Sequence, residues 1–153
     1  MSADLLRNVV AMLAAGIGIP IMAAVNGGLG RHLGAPAGAA LVLFGLAFLI
    51  TLIVVIAMGD IRRLGAFATT PHLFKLGGLF VAFYVLSITS IGPRIGLGNA
   101  IVLVLFGLLV SSTVVDHFGL LGVAQNSVTL SRATGLVLLA AGTVLFAFKP
   151  HTT

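Results

Sequence analysis

Residues 36–58 read PAGAALVLFGLAFLITLIVVIAM, with no charged side chain among them. A helix needs roughly 20 mainly apolar residues to cross about 30 Å of hydrocarbon, and this stretch meets that length with nothing that must stay in water. Working outward, four more stretches qualify: 5–27, 74–91, 97–118 and 132–148. The whole chain has 153 residues, 59% apolar and only 7% charged, with a mean hydropathy of +1.25. Soluble domains carry about 25% charged residues because their surfaces face water. Eight Lys and Arg plus three Asp cannot cover such a surface. The expectation is an all-α integral membrane protein, a single domain over 1–153 with five transmembrane helices.

Breakers and charges collect between these spans. Residues 27–34, GGLGRHLG, read as the close of a first hairpin, 59–72 as the longest polar loop, and Gly92-Pro93-Arg94 as a tight turn. Residues 119–131 are less polar than a normal loop and contain Gln125-Asn126-Ser127. Arg7 followed by apolar residues imitates a signal peptide. The apolar run from Val9 to Val25 exceeds a usual signal core, so it reads as a retained span. With a cytoplasmic N-terminus, that side holds Arg7, Arg62, Arg63, Lys75 and Arg132, against Arg31, Arg94 and Lys149 opposite. Five cations against three is a small bias toward N-in and C-out. It permits insertion of a multi-pass cell-membrane protein in both orientations.

Several function classes drop out. The cations stand singly or as Arg62-Arg63, beside apolar runs, whereas a nucleic-acid surface clusters them. They read as headgroup anchors in the lipid bilayer, and no nucleic acid is expected as a partner. The absence of cysteine removes thiol catalysis, disulfides and zinc thiolate sites. There is no glutamate, and Asp4, Asp60 and Asp116 fall near span ends, so no catalytic carboxylate pair forms. The four histidines lack metal-ligand spacing. No cofactor motif is present. The chain reads as a non-enzyme without metal or cofactor, whose site is built from amides, hydroxyls, backbone and helix dipoles.

The polar candidates follow from cost, because polar groups in hydrocarbon must face protein, water or solute. Asn26 and Asn99 are the leading amides for substrate binding, each equally able to bond a neighbouring helix. Pro20 lies mid-span after Gly16-Ile17-Gly18-Ile19, and a proline there frees carbonyls that need partners or line a cavity. Tyr84, Ser87, Ser90 and Arg94 fall within about a third of one helix circumference, a candidate solute-facing stripe. The serines can instead bond the carbonyl one turn back. Gly96 and Gly98 would permit bending or close approach beside Asn99. Asp116 and His117, with Arg94, are the candidates for ion coupling; such a pair also marks a headgroup boundary.

The ordered set of motifs resembles the YdcZ-like branch of the drug/metabolite transporter superfamily. The resemblance rests on Gly18-Ile19-Pro20 with Asn26-Gly27-Gly28-Leu29-Gly30, on Gly77-Gly78-Leu79 with Phe83-Tyr84-Val85, and on Pro93-Arg94-Ile95-Gly96. Val114 through Gly122 and the span from Gly135 to Leu145 complete it. Met22 and Leu108 depart from it, being apolar where that family often carries glutamine.

The resemblance implies a five-helix unit equal to half of a ten-helix inverted-repeat transporter. Five is odd, so two units in tandem take opposite orientations. A single chain with a small charge bias could then pair with itself as an antiparallel, dual-topology homodimer, or with an oppositely oriented homologue. The expected function is secondary transport, the export of a small organic solute. The alternatives are a small-ion channel built by the same dimer, since hydroxyl and amide linings suit weak ion coordination, and a non-transporting subunit of a larger membrane complex.

Overall fold

The structure is a computed structural model describing residues 2–147. Phe148, the expected end of the fifth span, and Lys149 lie outside the described residues. Among the described residues all regular structure is helical. Five helices among the described residues are long and apolar enough to cross a membrane: α1 (Ala3–Leu33), α2 (Pro36–Ala57), α3 (Gly77–Ile95, its span counted from His72 through the preceding 3-10 turn), α4 (Leu97–Phe118) and α5 (Leu130–Ala147). Contacts group them into two compact units, residues 1–94 and 95–153.

In the first unit, the Ser2 side chain caps α1 by accepting from the Leu5 amide at 3.3 Å. The helix runs to Leu33 and ends where the amides of Gly34 and Ala35 bond back to Arg31 and Gly30. Pro36 then opens α2 at a position where its missing N–H costs no bond. The buried residues of α1 are Ala23, Asn26, Gly27 and Gly30, those of α2 are Ala39 and Ala40, and those of α3 are Val85, Ile88, Thr89 and Gly92. On α1 and α3 they recur at i, i+3, i+4 and i+7, one face of each helix. Most are small, because apolar attraction between helices is lost in lipid and close backbone approach must replace it. Large apolar side chains such as Met12, Leu41, Phe48 and Phe80 point outward.

Two expected turns are helical instead. The glycine-rich stretch 27–34, expected to close the first hairpin, is helical as far as Leu33. Glycine weakens an isolated helix by about 1 kcal/mol per residue, but here it admits neighbours. A Cβ on Gly30 would meet the Thr89 methyl at 3.3 Å and the Pro36 Cα at 3.4 Å. Pro93, expected to make a turn, lies inside α3 in its last turn. The break falls three residues later at Gly96, whose φ of 87° and ψ of 134° suit glycine far better than other residues.

Between α2 and α3 the chain forms two 3-10 helices, Asp60–Thr69 and His72–Leu76. In the second unit α4 packs on α5. A Cβ on Gly98 would touch the Phe146 ring at 3.4 Å, and Ala100 and Thr143 are buried. The α4–α5 connector turns at Gly119 (φ 60°), passes Leu121 in the left-handed region (φ 58°) and runs extended from Val123.

Candidate functional site

The first unit brings one expected site residue into a defined polar contact. Asn26 is 3% exposed and donates from Nδ2 to the Thr89 hydroxyl at 2.6 Å. Asn26 also borders a groove of ≈ 390 Å³ between α1 and α2. Met22, Val25, Leu29, Val42 and Leu46 are among its other walls, and among the described residues Asn26 is the only polar one lining it. A predominantly apolar cleft with one oriented polar group suits an organic solute. Met22, one of the two departures from the family pattern, lies in this wall and makes it more apolar than an amide would. The other, Leu108, is 54% exposed on α4. Pro20 is half-buried on α1, one turn and a half before Asn26.

Tyr84, Ser87 and Ser90 are half-buried on α3, and Arg94 at its end is exposed. The Tyr84 hydroxyl oxygen is enclosed and bonds to nothing among the described residues. A buried hydroxyl without a partner costs about 1–3 kcal/mol. The arc of α3 that carries Thr89 lies away from this stripe. Sequence reasoning passed over Thr89 for that reason; the signal was its place in the small and β-branched set Val85, Ile88, Thr89, Gly92.

In the second unit Asn99 is half-buried and donates from Nδ2 to the Ile95 carbonyl at 2.9 Å. It therefore satisfies a carbonyl freed at the Gly96 break. Gly98 lies within regular α4 and serves as the seat of Phe146.

Asp116 and His117 close α4, and both grip the connector. The Asn126 amide donates to the Asp116 carbonyl at 2.8 Å. Gln125 Nε2 donates to the His117 carbonyl at 3.0 Å, and the Val128 amide donates to His117 Nδ1 at 3.2 Å. The last bond requires Nδ1 to be unprotonated. Arg132 reaches the Asp116 carboxylate at 3.5 Å, half-exposed on both sides. These two and Ser112, Thr113, Gly135 and Leu136 line a cleft of ≈ 410 Å³ between α4 and α5. The Ser112 and Thr113 hydroxyls bond back to the Leu109 carbonyl. Arg132 had figured only as an orienting charge; its pairing depends on how the connector folds back, which spacing alone does not give.

A family profile described as "Putative inner membrane exporter, YdcZ" matches residues 8–145. Neither a curated protein nor a solved structure matches the chain. The profile covers all five helices except the extreme ends of α1 and α5, and it describes membrane transport rather than catalysis. The chain belongs to the YdcZ-like family of inner membrane exporters.

Proposed function

We propose that this chain exports a small, mainly apolar organic solute, and that residues 1–153 work as one five-helix domain, half of a ten-helix transporter. Two copies of opposite orientation would complete it as an antiparallel homodimer; an oppositely oriented homologue is the other candidate partner. The observation that carries the reading is the family match across a chain of five spans. An odd number of spans turns a second tandem unit over, as inverted-repeat transporters require. The near balance of cations on the two sides supports insertion both ways.

Solute would lie against Asn26 in the α1–α2 groove; Pro20, earlier on α1, and Tyr84, Ser87 and Ser90, on the arc of α3 turned away from Asn26, are proposed as separate contacts along the path. Asn99, in the second unit, is a further candidate contact for solute, beside the Gly96 break. Asp116, His117 and Arg94 are the groups proposed for ion coupling, with Arg132 joining them through Asp116.

The absence of cysteine makes the topology test clean. A single cysteine at Ala68, exposed in the α2–α3 connection, is labelled on intact cells by a membrane-impermeant thiol reagent. Labelling of part of the protein, completed on permeabilisation, is the expected result. Uniform labelling or uniform protection sinks the dual-topology homodimer and turns attention to a partner chain. Export itself is read by efflux of a panel of small aromatic and aliphatic cations, amines and neutral solutes from loaded vesicles. No concentration-driven or proton-driven flux of any of them overturns the exporter reading.

A further inference from the structure

The α2–α3 connection has a chemistry that solute export leaves unused. Its first part, Asp60–Thr69, is a 3-10 helix of 10 residues, longer than such helices usually run. With three residues per turn, Ile61, Leu64 and Phe67 stack on one face. They are 47%, 56% and 62% exposed. The second 3-10 helix, His72–Leu76, is continuous with the third membrane span, so the apolar face of Ile61, Leu64 and Phe67 stands directly beside the point where the chain enters the hydrocarbon. A loop meant for water would not align three large apolar side chains on one exposed face of a single short helix.

The charges are equally one-sided. Arg62, Arg63 and Lys75 stand against the single carboxylate of Asp60. Asp60 pairs with Arg63 at 3.0 Å, and Arg62 has no carboxylate partner among the described residues. Lys75 places its ammonium 4.7 Å from the centre of the Phe67 ring, so a cation sits directly beside the apolar stripe. The backbone is prepared for a drier medium as well, since Thr69 and Thr70 both donate to the Ala66 carbonyl at 3.0 Å.

We infer that Asp60–Leu76 lies in the headgroup layer of the bilayer, where it binds anionic phospholipid. Ile61, Leu64 and Phe67 enter the acyl boundary, and Arg62, Arg63 and Lys75 meet the lipid phosphates. Apolar burial combined with cation attraction is how amphipathic segments hold an interface, and the net positive charge selects anionic over zwitterionic headgroups. The inference rests on the five spans and stands apart from the exporter reading.

The chain contains no tryptophan, so Phe67→Trp supplies a single depth reporter at an exposed position; Leu64→Trp is the second. The full chain is reconstituted in phosphatidylcholine vesicles holding a minority of phosphatidylglycerol. Bromine near the headgroup end of the acyl chains should quench strongly, bromine near the bilayer centre weakly, and aqueous acrylamide little. When only the phosphatidylglycerol is brominated, quenching should exceed its share of the bulk lipid. Replacing Arg62, Arg63 and Lys75 by glutamine should return it toward that share, by up to about fivefold per cation. Free access of acrylamide with no effect of brominated lipid at either reporter overturns the interfacial placement. Quenching equal to the bulk share in the unaltered cations overturns anionic recognition. Loss of the excess on adding millimolar inorganic phosphate would make free phosphate the ligand and likewise overturn it.

Discussion

The Asn26 amide and the Thr89 hydroxyl, 63 positions apart in sequence, meet at 2.6 Å in the buried contact between α1 and α3. This bond ties the first helix to the third at the level of the α1–α2 groove. Hydrogen bonds between membrane helices contribute about 0.6 kcal/mol on average and up to about 1.7. Thr89→Val and Asn26→Leu should therefore each lower stability by roughly 1 kcal/mol, read by unfolding in mixed micelles. They should part in transport. Asn26→Leu removes the polar lining residue of the groove and should abolish export, whereas Thr89→Val should retain most of it. Equal transport by the two variants would reduce Asn26 to a structural clamp.

Tyr84→Phe deletes an oxygen that is enclosed and unbonded. The variant should be more stable by about 1 kcal/mol or somewhat more, since an unmade buried hydrogen bond is a penalty. Export should fall at the same time, because the solute loses its partner. A thermal-shift measurement beside an efflux assay checks both signs.

Gly30→Ala places a methyl 3.3 Å from Thr89 and 3.4 Å from the Pro36 backbone. The Thr89 side chain can move slightly and the Pro36 backbone cannot. Overpacking of about 1–3 kcal/mol should outweigh the helix-propensity gain of about 1 kcal/mol. Gly45→Ala on α2, where nothing lies within 4 Å, should be neutral or gain up to about 1 kcal/mol. The same unfolding assay on both variants tests whether close approach explains the glycines of α1.

Gly96→Ala forces a Cβ onto a residue at φ 87° and should cost about 1–3 kcal/mol. Gly98→Ala, two residues later in regular helix, meets the Phe146 ring at ordinary contact distance and should cost less. Equal losses would show that the sharp break between α3 and α4 does not depend on Gly96.

His117→Phe removes the acceptor of the Val128 amide, and Arg132→Gln removes the ion pair to Asp116. Hydrogen exchange at Val128 should quicken by about fivefold in the first variant, as one net hydrogen bond is worth about 1 kcal/mol. It should change little in the second, because a half-exposed pair contributes at most about 1 kcal/mol and does not touch that amide. Spread of fast exchange to residues 123–129 in the first variant alone would mark His117 as the clasp of the connector.

The five helices were legible because each apolar run is long enough to cross hydrocarbon, a requirement that depends on length alone. Ends were harder to place. Gly27, Gly28 and Gly30 look like breakers when helix propensity is counted, yet the space that Gly30 leaves for Thr89 and Pro36 keeps α1 helical to Leu33. Pro93 looks like a turn, but near a helix end it forfeits little. The candidate residues on α1 and α3 were visible as polar letters in apolar runs. Their partners were not, since Thr89 and Arg132 acquire meaning only when distant segments meet.

The 31 residues of α1 amount to roughly 46 Å of helix at about 1.5 Å per residue, against about 30 Å of hydrocarbon. Even a tilt of about 40° projects it over roughly 35 Å, so one end or both must stand among headgroups and water. The excess length sets the scale of any tilt. Turned about its middle near Pro20 by about 10°, the helix carries each end about 4 Å in opposite directions at that length.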